Sequence, residues 1–197
     1  MGRWEPNARG RLARAALELF AEHGYEQTTV AGIAGRAGLT ERTFFRHYAD
    51  KREVLFTGSA ELEQLFVGPV AEAALTLPPV DALLAGLDAV SAFFVDRRDY
   101  ARRRQTVIAA NAELRERELI KMASLTTALA DALRGAGVAD PAAGLTAEVG
   151  VAVFRVGFER WIAPGERREM APLLHEALTE LKTVAAGGGG RGGGAGA

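Results

Sequence analysis

Cysteine is absent from the 197 residues, which excludes disulfides and thiolate metal sites. Histidine is scarce: His23, His47 and His175 lie far apart, so no pair has the spacing of a histidine metal site. Neither a metal nor another cofactor is expected. No apolar run reaches the roughly 18 residues of a membrane span, and the polar N-terminus does not resemble a signal peptide. A cytoplasmic protein is the expectation. Alternating Val/Ile/Thr runs bounded by hairpin dipeptides are also missing, which removes the signature of strands. What is present is 48% hydrophobic and 25% charged, ordinary for one large globular domain or two small ones.

Net charge is -1, but it is unevenly spread. Residues 1–55 carry nine Arg/Lys against seven Asp/Glu, a net of +2, and the remainder fifteen against eighteen, -3. A compact basic region on an otherwise acidic chain suits site-specific binding of nucleic acid better than general coating of a polyanion.

Every periodic segment reads as helix, so the fold class is all-α with about nine helices. The first is expected over Ala8–His23, with Leu12, Ala15, Ala16, Leu19 and Phe20 on one stripe and Gly24 as its stop. Short helices follow over Val30–Ala37 and Glu41–Tyr48. Asp50 is placed to cap a longer helix from Lys51 to about Val67, ended by Gly68-Pro69. Beyond the Pro78-Pro79 breaker, helices are expected over Val80–Arg97, Tyr100–Ala110, Ala112–Arg134, Ala142–Ile162 and Met170–Ala185.

The stretch from Thr28 to Lys51 carries the most chemistry. Val30, Ile33, Ala34 and Ala37 share one helical face; Gly38 marks a sharp turn, and Thr40 has the position and hydroxyl of an N-cap. Phe44 and Tyr48, four apart, face inward, leaving Glu41, Arg42, Thr43, Phe45, Arg46 and His47 outward. Arg42 has the fork to meet guanine O6/N7, and Glu41 the carboxylate to accept from a cytosine amine. Thr28, Thr29, Thr43, His47 and Lys51 suit phosphate oxygens, as hydroxyls, cations or carriers of backbone amides at helix starts. A generic helical hairpin with a solvated charged face remains the plain alternative.

The run GYEQTTVAGIAGRAGLTERTFFRHYADKREVL, with ARAALELFAEHGY before it, resembles the N-terminal domain of the TetR family of transcriptional regulators over about residues 9–56. Gly24-Tyr25, Thr28, Thr29, Ile33, Ala34, Ala37, Gly38, Thr40, Thr43, His47 and Lys51 fit the family pattern. Phe45 stands where that pattern has Tyr, so a phosphate contact from its hydroxyl is expected to be absent; Tyr48 stands where it has Phe. The resemblance implies a three-helix, helix-turn-helix DNA-binding domain over residues 1–50. It also implies an effector-binding and dimerisation domain over 51–186. Residues 187–197, GGGGRGGGAGA, read as a disordered tail.

In the C-terminal half, Phe93, Phe94, Val107, Ile108, Leu125, Leu129, Phe154, Phe158 and Trp161 are candidates for an apolar cavity, with a filled core as the alternative. Arg97, Arg98, Arg102, Arg103 and Arg104 form the densest basic cluster, either a solvated face or an anion site. Asn111-Ala-Glu-Leu-Arg-Glu-Arg-Glu-Leu is similar to an acyl-CoA-responsive subgroup, which implies an acyl-CoA-like effector. Arg155 is placed to pair with Glu159 at i+4 or to anchor a ligand acid. Val149, Val153, Val156 and Gly157, with Leu173, Leu174, Ala177, Leu178 and Leu181, offer two faces for a four-helix homodimer interface, Gly150 and Gly157 allowing close approach. The expected function is therefore a ligand-responsive repressor released from a palindromic operator. An enzyme on a helical bundle lacks paired histidines, a nucleophilic cysteine and a Gly-rich phosphate loop. A DNA-binding bundle without an effector is the other alternative.

Overall fold

The computed structural model describes residues 7–187. Among them are nine α-helices and one 3-10 turn, and no strand. The helices are α1 Ala8–His23, α2 Val30–Arg36, α3 Glu41–His47, α4 Ser59–Ala73, α5 Pro79–Phe93, α6 Arg98–Ala110, α7 Ala112–Gly135, α8 Ala142–Ile162 and α9 Met170–Ala185; the 3-10 turn is Arg52–Phe56. The glycine-rich tail expected beyond residue 187 lies outside the described residues.

The expected helix from Lys51 to Val67 is broken. Asp50 does act as a cap, its Oδ1 accepting from Arg52 N at 2.8 Å and Glu53 N at 3.1 Å, but what it caps is the 3-10 turn. Thr57 Oγ1 then donates to the Val54 carbonyl at 2.7 Å and Ser59 Oγ to that of Phe56 at 2.6 Å. These hydroxyls compete with the helical ladder, and Gly58 at φ 93° reverses the chain. Gly68-Pro69, expected as a terminator, lies inside α4. Proline lacks its amide there, but Phe66 and Val70 on the same helix are buried, and packing of that face holds the helix past it.

The chain divides into two compact units, Met1–Gln64 with Asp96–Leu125, and Leu65–Val95 with Thr126–Ala197. This division does not fall at the expected boundary near residue 50, because α6 and the first part of α7 belong with the N-terminal helices. In the first unit the expected α1 stripe of Leu12, Ala15, Ala16, Leu19 and Phe20 is buried. It packs with Ile33, Phe44, Tyr48, Val54 and Leu55, and with Val107, Ile108 and Leu114 from α6 and α7. Val107 and Ile108, candidates for an apolar cavity, are thus core residues of this unit.

In the second unit α5, α8 and α9 pack together, joined by Phe66 and Val70 of α4 and Leu129 and Leu133 of α7. Glycines let these helices approach closely. A Cβ on Gly86 would lie 2.6 Å from the Phe66 carbonyl oxygen, and one on Gly150 2.8 Å from Leu83 Cδ2. A Cβ on Gly157 would lie 3.3 Å from the Leu174 Cα. The expectation that Gly150 and Gly157 receive a second subunit is therefore corrected: both are filled from within the chain.

Candidate nucleic-acid interface

Thr29 caps α2, its Oγ1 accepting from Gly32 N at 3.0 Å. The helix closes with Gly38 N donating to the Gly35 carbonyl and Leu39 N to that of Ala34, at 3.0 and 2.8 Å. That pairing is a Schellman closure, and Gly38 at φ 65° supplies the left-handed residue it needs. Arg11 of α1 donates to the Ala37 carbonyl and fixes the turn from below. Thr40 caps α3 by accepting from Thr43 N at 3.2 Å, with Glu41 in the first turn complementing the helix dipole.

The rotation of α3 is set by Phe44, fully buried, and Tyr48, 4% exposed, with ring centroids 5.4 Å apart. The Tyr48 hydroxyl lies 3.0 Å from the Arg9 carbonyl and 2.7 Å from Thr57 Oγ1, a role that spacing did not indicate. With that face inward, Glu41, Arg42, Phe45 and Arg46 are exposed, and Thr43 and His47 are half-buried at its edge. His47 Nε2 is buried without a hydrogen-bond partner among the described residues. Thr29 and Thr40 are exposed; the Thr29 hydroxyl accepts from an amide and keeps its own proton to donate, while Thr40 Oγ1 also lies 3.1 Å from Thr43 Oγ1, so that one of these two hydroxyls donates to the other.

Two expected contacts are differently placed. Thr28 is buried, 4% exposed, and its hydroxyl lies 2.8 Å from the Gly24 carbonyl and 3.2 Å from that of Leu19. It ties α1 to the loop and presents nothing outward. Lys51 Nζ donates to the Tyr25 carbonyl at 2.8 Å and sits 4.0 Å from the Tyr25 ring centroid, so only part of its donor set faces solvent. Burial, with the Glu113 carboxylate adding to it, pushes the Tyr25 phenol up to about 12.

Beneath this face the 3-10 turn is bound to α6 and α7. Arg104 Nε donates to the Leu55 carbonyl at 2.7 Å, its Nη1 lies 3.4 Å from Glu118 Oε1, and its guanidinium covers the Phe56 ring at 5.1 Å. Arg104 is therefore a structural tie, which corrects its expected place in an effector site. Glu53 accepts from Arg117 and, at 3.2 Å, from Lys121. Burial alone would raise the Glu53 carboxyl, but those two cations outweigh it and hold the group below the ordinary range. Sequence spacing carried no sign of these ties, whose partners are 14 to 68 residues apart.

The remaining effector candidates fall into different units. Phe93 and Phe94 are half-buried in the second unit, where Phe94 lies 6.3 Å from Phe154, 5.5 Å from Phe158 and 5.6 Å from Trp161 between ring centroids. Arg97 and Arg103, both exposed, belong to the first unit with Arg104. Arg155 is exposed, next to buried Phe154 and one turn before Phe158 on α8, and no ion pair joins it to Glu159 among the described residues. Among the described residues there is no group of carboxylate and histidine side chains able to hold a metal, and no helix long and apolar enough to cross a membrane.

A capped short helix, a glycine turn and a second helix presenting arginines define a helix-turn-helix protein. Residues 12–57 match the model of bacterial regulatory proteins of the tetR family, and residues 77–186 match the MftR C-terminal domain. The chain belongs to the TetR family, whose members are transcriptional regulators and not enzymes. It is 39% identical over 82 residues to the HTH-type transcriptional regulator TcmR of Streptomyces glaucescens, covering 42% of this chain and 36% of that protein. It is 33% identical over 118 residues to the regulator MftR of Mycobacterium tuberculosis, covering 58% of each chain. The matches therefore span less than two thirds of either relative. The fold is similar to that of FadR of Thermus thermophilus, a repressor solved with lauroyl-CoA, at a TM-score of 0.51 and 24% identity over 96% of this chain and 99% of that one.

The Glu53 bridge carries a testable pH dependence. A carboxyl held below its ordinary range contributes stability that is complete above that range and drains away as pH falls through it. Glu53→Gln is expected to lower the unfolding free energy at pH 7 by about 1–2 kcal/mol, and to flatten its decline between about pH 5 and pH 3. Denaturant unfolding across that range reads both; an unchanged acid slope would remove Glu53 from the account.

Proposed function

We propose that the chain is a cytoplasmic, homodimeric transcriptional repressor that binds a palindromic operator and is released from it by a small hydrophobic effector. The observation that carries the reading is the exposed face of Glu41, Arg42, Phe45 and Arg46 on α3, held rigidly by buried Phe44 and Tyr48. Arg42 meets a guanine edge and Glu41 a cytosine amine; Thr29, Thr40, Thr43, Arg46, His47 and Lys51 meet phosphates. Arg42→Ala is expected to cost at least ~1 kcal/mol at the cognate duplex and to relax preference at one base position. Lys51→Ala weakens all duplexes alike and reduces the salt slope by roughly one charge. Fluorescence anisotropy on cognate and scrambled duplexes separates the two, and equal, sequence-independent losses would remove Arg42 from base reading.

For the dimer, Leu145, Val149, Ala152 and Val156 recur along one side of α8 that no part of the second unit covers fully; Leu145 is 63% exposed and Val156 43%. An apolar stripe of this kind on a helix that packs its other side through Gly150 and Gly157 suits a second copy of the chain. Joint replacement Leu145→Glu and Val156→Glu is expected to shift sedimentation to the monomer at micromolar concentration. A dimer that persists would place the interface elsewhere.

For the effector, the rings of Phe66, Phe94, Phe154, Phe158 and Trp161 form one contiguous cluster in the second unit, with neighbouring centroids 5.5–6.3 Å apart. Rings in this number suit an apolar ligand that wedges between them. The Arg97, Arg103 and Arg104 anchor for an acyl-CoA headgroup is not part of the proposal, since Arg104 is committed to Leu55 and Glu118. Lauroyl-CoA, found in the Thermus FadR complex, and free dodecanoic acid are the probes. Each is expected to raise the melting temperature through binding to the folded state and to release the operator, with both effects reduced in Phe158→Ala. Absence of any shift or release across an apolar ligand series would favour a DNA-binding bundle without an effector.

A further inference from the structure

We infer that Phe45 is a base-reading residue, and that its ring meets the C5-methyl group of a thymine in each operator half-site. The inference rests on the proposed DNA-binding function and gives it a sequence requirement.

Phe45 is 56% exposed, on a helix only seven residues long whose other large apolar side chain, Phe44, is fully buried. It follows Glu41 by four residues and Arg42 by three, so it lies between them on the outward arc of α3. Its ring is not loose: it stands edge-on to Phe44, centroids 5.5 Å apart and planes at 82°. A ring held this way gives up little rotamer freedom on binding.

Phenylalanine has neither donor nor acceptor, so it cannot meet a phosphate oxygen or a polar base edge by hydrogen bonding. The one apolar feature that the major groove displays is the thymine C5-methyl, and aromatic contact with it is an established mode of readout. Arg42 and Arg46 beside it draw the same face toward a polyanion, which makes nucleic acid a better occupant than an apolar protein surface.

The test uses the full chain and an operator selected from a randomised duplex library. Each thymine is replaced in turn by deoxyuridine, which removes the methyl and leaves every hydrogen-bonding group in place. One thymine position per half-site is expected to weaken binding about fourfold on replacement, and both together about sixteenfold. Phe45→Ala should bind the thymine and deoxyuridine operators equally, and Phe45→Leu should keep part of the discrimination. Arg42→Ala should bind more weakly yet retain the full deoxyuridine effect.

Three results would overturn the inference. Indifference of the wild-type protein to every deoxyuridine leaves the DNA-binding reading intact and removes Phe45 from base reading. An equal deoxyuridine effect in wild type and Phe45→Ala assigns the methyl to another side chain or to duplex shape. Failure to select any duplex removes the DNA-binding reading itself, and the inference with it.

Discussion

The burial of Phe44 and Tyr48 is the constraint on which the presented surface depends. A seven-residue helix has no stability of its own in water and exists because one side is packed. Once residues 44 and 48 point inward, the 3.6-residue period leaves no freedom: 41, 42, 45 and 46 point outward. The threonine caps and the Schellman closure at Gly38 fix where α3 begins, and the two aromatic side chains fix how it is turned. Their rings convert a hydrophobic preference into the aim of two arginines.

This part of the molecule was legible because its determinants are local. Caps, turn glycine and buried stripe all act within a few residues, so α1, α8 and α9 were placed at their observed bounds, and Glu41, Arg42, Phe45 and Arg46 were read as outward, whereas Thr43 and His47, read the same way, are half-buried. What escaped was long-range or competitive. Thr28 fits a phosphate contact by type and position, yet carbonyls of α1 and of Gly24 claim its hydroxyl. The break at Gly58 follows from side-chain hydroxyls competing with the ladder, and Pro69 was read as a stop although tertiary packing carries the helix past it. Gly150 and Gly157 were recognised as sites of close approach, but a glycine does not name which helix approaches.

The arginine-rich segment shows why charge density alone misleads. Arg97 to Arg104 reads as a single patch in sequence, while a helix distributes its members around its circumference. Arg103 is left in solvent, and Arg104 is turned inward to a carbonyl and a carboxylate. A cation that holds two helices and a 3-10 turn together is no longer free to hold a ligand. Phe94, just past the end of α5, and the aromatic residues of α8 did converge, since they need only share a core and not a partner.

The inclusion of α6 and the start of α7 in the N-terminal unit bears on how the protein is made. Leu12, Phe44 and Leu55 complete their core only with Val107, Ile108 and Leu114, and Glu53 finds its cations at 117 and 121. A ribosome releases the chain from its N-terminus, so the helix-turn-helix emerges long before the residues that finish its core. Until about residue 121 is clear of the exit tunnel, the segment that later carries the recognition helix is a partly covered nucleus with apolar surface exposed. The nascent chain thus completes the core beneath α3 only after residues 107 to 121 have been synthesised.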